Sequence, residues 1–141
     1  MREIDKIIVH CTATPEGRHT TVEDIRGWHK DRGWSDIGYH YVIYLDGTVN
    51  EGRPVEIQGA HCKGHNWKSI GIAYVGGLDK DTFKAKDTRN EEQKGSLAFQ
   101  LEYLKVLHPK AVIYGHRDFS NKECPSFDAK KEYNNISYMW E

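Results

Sequence analysis

A chain of 141 residues is long enough to bury one hydrophobic core and too short for two full domains. With 29% charged residues and a formal net charge of -1, it lacks the basic excess of a nucleic-acid or membrane-surface binder. Three cysteines, an odd number in a chain with an adequate core, argue against a disulfide scaffold and suit reduced thiols or a metal ligand. No apolar run suggests a leader or a membrane segment, so the protein as written is expected to be made soluble in the cytoplasm, without a signal peptide.

Residues 4–10 read as a strand with His10 at its carboxyl end, followed by a polar loop over 11–18. Thr21 and Asp24 form a capping box, and Val22, Ile25, Trp28 and His29 recur at helical spacing until Gly33 stops the helix. His29, Trp28 and Trp34 are expected in the core. Residues 37–44 alternate as a strand, Asp46-Gly47 is a hairpin turn, and 48–52 returns antiparallel. Residues 57–67 form a Gly-containing loop in which the spacing of His61 and His65 fixes no ligand geometry. A buried strand over 69–75 and a charged surface segment over 77–87 come next. Thr88 and Glu91 read as the cap of the longest helix, with Leu97, Leu101, Leu104 and Leu107 on one side and a stop at Pro109. A strand over 111–114 and a short helix after Phe127 complete the chain, and the tail from Ile136 is open. The pattern predicts an α/β single domain over 1–141, a central mixed β-sheet of about five strands flanked by helices.

The chemistry concentrates in the stretch 115–127, which holds His116, Lys122 and Cys124. By itself this stretch reads equally as half of a metal site or as a surface turn with a small buried cysteine. A third ligand decides between them. His10 is the candidate, because binding groups gather at the carboxyl ends of parallel strands. Lys122, two residues before Cys124 in an extended segment, faces the same way. Its cation is expected to lower the thiol pKa and to stabilise negative charge nearby. Two histidines and a cysteine suit zinc with one open position, which polarises a carbonyl and points to amide or ester hydrolysis. The His-Glu-x-x-His signature of helical zinc proteases is absent.

Ile8-Val-His-Cys-Thr-Ala-Thr14, Gly27-Trp-His-Lys-Asp-Arg-Gly-Trp34, Ile37-Gly-Tyr-His-Tyr41, Ala60-His61, Ser69-Ile-Gly71, Gly115-His116 and Cys124-Pro-Ser-Phe127 together resemble the zinc-dependent N-acetylmuramoyl-L-alanine amidases of type 2. That family includes phage amidase-type lysozymes and is akin to peptidoglycan recognition proteins. The resemblance spans residues 4 to about 133 and implies zinc on His10, His116 and Cys124, with Tyr39 and Lys122 as catalytic residues. It implies hydrolysis of the amide between N-acetylmuramic acid and L-alanine in peptidoglycan. His40, His61 and Trp67 are candidates to line the substrate groove. Action is expected at the cell wall after release, or on wall fragments in the cytoplasm, by a monomer.

Two rivals share the fold: a peptidoglycan-binding module without catalysis, and a regulatory protein whose partner surface no local motif announces. The first typically lacks the Cys ligand, which is present here as Cys124. A cysteine hydrolase fits less well, because Cys11 follows His10 on a strand and points to the other face.

Overall fold

The computed structural model describes residues 2–136; the tail from 137 onward lies outside them. The central sheet is built from β1 (Lys6–Cys11), β3 (Tyr41–Ile43), β4 (Val49–Glu51), β5 (Ser69–Tyr74) and β7 (Val112–Gly115), in the order β4-β3-β5-β1-β7. β2 (Thr14–Pro15) and β6 (Gly77–Leu78) pair separately, and the helices are α1 (Val22–Asp31), α2 (Glu91–Leu107) and α3 (Ala129–Tyr133). β1 runs parallel to both β5 and β7, and β3 runs parallel to β5, while β4 is antiparallel. This is the mixed five-stranded α/β sheet that the pattern predicted.

Alternation along the strands sorts the two faces of the sheet. Ile7, Val9 and Cys11 of β1 join Ile70, Ile72 and Tyr74 of β5 and Leu97, Leu101 and Leu104 of α2 in the larger core cluster. His10 lies on the other face, in register with Ala73. Packing Val9 opposite Gly115 therefore brings His10 beside His116, one step beyond the ladder. Three completely buried leucines of α2 contribute about 2 kcal/mol each by leaving water.

Several boundaries differ from expectation for physical reasons. The extended segment 37–44 keeps only Tyr41–Ile43 as ladder, because the backbone before it bonds a loop: Gly52 N–H donates to His40 O at 2.8 Å and Arg53 N–H to Tyr39 O at 2.9 Å. The cap of α2 is Asn90 with Gln93, while the Thr88 hydroxyl accepts from Gly77 N–H at 2.8 Å. Leu107 is exposed, beyond the face that Leu97, Leu101 and Leu104 share. The Thr21–Asp24 capping box, the Asp46-Gly47 turn and the buried His29 stand as read. Among the described residues no helix is long and apolar enough to cross a membrane.

Candidate active site

His10 ends β1, His116 opens the 3-10 turn His116–Asp118 directly after β7, and Cys124 returns on the loop that follows. A backbone bond from Arg117 N–H to Cys124 O at 2.8 Å closes that loop. One ligand atom from each residue lies within 4.8 Å of the others. His10 Nδ1 is 3.8 Å from Cys124 Sγ, close to the separation of about 3.5 Å that zinc–nitrogen and zinc–sulfur bonds of usual length impose at a tetrahedral centre. The donor set of two imidazoles and one thiol therefore fits zinc.

Burial first, and then the neighbouring His61 and His116, holds the pKa of His10 well below the ordinary histidine value, so its ring is neutral and free to ligate. His116 is lowered too, by burial and by Lys122. The Cys124 sulfur accepts from Cys11 N–H at 3.2 Å. The Cys11 side chain beside it, together with burial, raises the Cys124 thiol above the cysteine range. Lys122 does act in the expected downward direction, but these two effects outweigh it. A metal ion would displace the thiol proton on binding.

Tyr39 stands at the mouth of this cluster, its ring centroid 5.2 Å from that of His10 and its hydroxyl 3.5 Å from Cys11 O. Burial, then the nearby Cys124 and Cys11, raises its pKa above the ordinary phenol value, which keeps it an O–H donor. The surrounding cleft has a volume of about 190 Å³ and includes Tyr39, Lys122, Trp28, Trp34 and Arg32. It runs into a wider groove of about 550 Å³ that adds Lys63, Asn66 and Phe119. Among the described residues no carboxylate lines either space.

The structure thus brings His10, His116, Cys124, Tyr39 and Lys122 together and sorts the remaining candidates differently. His40 is completely buried. Its Nδ1 accepts from Gly71 N–H at 3.0 Å and its Nε2–H donates to Ile57 O at 2.8 Å. It borders a separate cavity of about 310 Å³ beside Arg2 and Tyr103, so the expectation that it lines the substrate groove is corrected. Trp67 is corrected as well: it is 60% exposed and borders a different hollow, with Lys6 and Lys68, instead. His61 does border the cleft, but its ring is bonded to His10 and Ser69 rather than turned to solvent. Trp28, expected in the core, is 44% exposed along the cleft. Arg32 and the Cys11 amide were not singled out in the sequence, since a backbone donor and an exposed helix-end cation leave no local signal.

The sequence profile of the family described as "N-acetylmuramoyl-L-alanine amidase" matches residues 1–127. This chain belongs to the N-acetylmuramoyl-L-alanine amidase family. It is 43% identical over 131 residues to an endolysin of Enterobacteria phage K11, covering 92% of this chain and 85% of that one. The endolysin of Escherichia phage T7 is 44% identical over 128 residues, with 90% and 83% covered. Among solved structures, the N-acetylmuramoyl-L-alanine amidase LysC from Clostridium intestinale superposes with a TM-score of 0.79 at 31% identity, over 93% of this chain and 82% of that one. A peptidoglycan recognition protein from the LCa–LCx ectodomain complex with tracheal cytotoxin superposes at 0.75 and 31% identity, over 96% and 83%. The amidase therefore has the activity of its family, hydrolysis of a peptidoglycan amide.

Proposed function

We propose that this amidase is a zinc enzyme in which His10, His116 and Cys124 hold the metal and Tyr39 and Lys122 stabilise the reacting amide. The convergence of the three donor atoms within 4.8 Å at the carboxyl ends of two parallel strands carries this reading. Bound zinc supplies Lewis acidity toward the carbonyl and lowers the pKa of water. The Tyr39 hydroxyl, held protonated by burial, donates to the oxygen on which negative charge develops. The Lys122 ammonium faces the same cleft and offsets that charge. With no carboxylate among the described cleft residues, the Tyr39 hydroxyl or the Lys122 ammonium would relay the proton of the attacking water to the departing amine of L-alanine.

The wider groove gathers the cations of Arg32, Lys63 and Lys122, which complement the carboxylates of a stem peptide. Peptidoglycan or its muropeptides are the ligand we infer, with the cell wall as the place of action and one domain spanning 1–141. The named complex of a structural relative with tracheal cytotoxin agrees with a muropeptide groove. The presence of Cys124, Tyr39 and Lys122 in one cleft favours turnover over recognition alone.

The test is incubation of purified peptidoglycan with the protein, then after chelation, then after zinc is restored. Free L-alanine amino termini should appear without new reducing sugar ends, stop with chelator and return with zinc. Tight binding to the same material with no amine release would instead establish a recognition module.

A further inference from the structure

The metal reading uses one ring nitrogen of His10 and leaves the other to be accounted for. Nδ1 faces Cys124 Sγ. Nε2 points away from it and lies 2.8 Å from His61 Nδ1, and His61 Nε2 lies 3.2 Å from Ser69 Oγ. His10, His61 and Ser69 are all buried, at 1%, 8% and 0% exposure, so each polar atom must find its partner within the protein.

The surroundings are shaped to hold this ring. A Cβ on Gly71 would lie 2.6 Å from His61 Cγ, and one on Gly59 would lie 2.8 Å from His61 Cδ2. Asn66 Oδ1 accepts from both His61 N–H and Cys62 N–H at 2.9 Å, which fixes the backbone that presents the ring. His61 enters from the loop over 57–67 onto the sheet face that also bears His10 and Ser69.

Proton counting then leaves one arrangement. A neutral imidazole has one N–H. With Nδ1 of His10 committed to a metal, its proton sits on Nε2 and must be donated. His61 Nδ1 is the acceptor within reach, so the proton of His61 sits on its own Nε2 and is donated to Ser69 Oγ. We propose that His61 is a positioning residue that orients His10 as a ligand, and that Ser69 fixes the tautomer of His61. The proposal rests on the zinc reading above. Metal-bound histidines usually donate to a carboxylate, a carbonyl or water. A neutral imidazole in that place adds no negative charge behind His10. That leaves the bound cation a stronger Lewis acid than a carboxylate partner would.

Two measurements on the full chain test this. Nitrogen-15 spectra of the histidine side chains in the zinc-loaded protein should show His10 and His61 both protonated on Nε2 and without a proton on Nδ1. Competition for zinc with a chelating dye should show His61→Leu weakened about 10–100-fold. His61→Asn, whose amide oxygen can stand where Nδ1 stood, should recover most of the loss, and Ser69→Ala should lose less than His61→Leu. A proton on Nδ1 of His61 in the zinc-loaded protein would overturn the proposal, as would a folded His61→Leu that holds zinc as tightly as the parent. If His61→Leu does not fold, the spectra of the parent decide. A parent protein that takes up no zinc removes the metal reading and the relay together, whereas normal zinc uptake with unchanged affinity in His61→Leu removes the relay alone.

Discussion

Arg89 and the His10 cluster both anchor the segment that follows β7, with opposite electrostatics. Every N–H of the Arg89 guanidinium is engaged, with Asp87 and Glu132 at 2.8–2.9 Å and the Tyr133 hydroxyl at 2.7 Å. Its Cζ lies 3.4 Å from the centroid of the Phe127 ring. There the protein supplies both charge and countercharge. At the other anchor, His10, His116 and Cys124 converge beside Lys122 in a cleft that no described carboxylate lines. Charge that is satisfied internally fastens α3 to the core. Donor atoms gathered without an internal anion are suited to bind a cation and then a polarised carbonyl. The two anchors therefore separate stability from chemistry, and substitutions should separate them too.

The largest effect is expected for Cys124→Ser, which should abolish zinc binding and turnover together. Metal analysis on the folded variant checks it, and retention of one zinc per chain would take Cys124 out of the ligand set. Tyr39→Phe and Lys122→Ala should each keep zinc and lower kcat roughly 100-fold, the scale of one oxyanion donor. Unchanged turnover would remove that residue from the mechanism. Arg89→Ala should do the reverse and leave zinc affinity intact while costing about 2–3 kcal/mol of stability in urea denaturation. This lies below the usual loss for a broken buried pair, because Glu132 is partly solvated.

Acidity sharpens the contrast further. Burial lowers both His29 and His40 to about 4, against about 6.5 in an unfolded chain. Below pH 6.5 the unfolded chain takes up protons that these rings refuse, so their contribution is complete above that pH and declines as pH falls toward 4. Glu132, lowered by its hydrogen bond to Arg89, loses its contribution only at still lower pH. The melting temperature of the metal-free protein should therefore fall between pH 6.5 and 4, and a flat profile would count against neutral buried rings. The smallest effect should come from Trp67→Ala, which lies outside the cleft and should leave kcat/KM within about twofold, as expected of a surface site away from the chemistry.

The outcome for each histidine shows which signals a sequence holds. His10 and His116 were legible because each stands at the carboxyl end of an apolar run, and strand direction alone then brings them together. His40 and His61 stand in equally suggestive company, beside tyrosines and glycines, yet one is tied into the fold and the other is bonded to His10. Their roles depend on how the loop over 52–66 folds onto β3 and β5, where Gly59 and Gly71 leave room for rings. No period or spacing encodes that. The shortened strand Tyr41–Ile43 has the same origin, since its preceding residues spend their backbone bonds on that loop.

By itself the sequence determined the α/β class, the strand ends that bear the donors, the chemistry of a His/His/Cys set, and the family, because these follow from residue type, local periodicity and motif order. Only the tertiary structure decided which nitrogen of His10 faces Cys124, that His61 and Ser69 stand behind it, and that His40 and Trp67 lie elsewhere. Those facts depend on contacts between residues tens of positions apart, and such contacts are fixed by packing across the sheet rather than by anything adjacent in the chain.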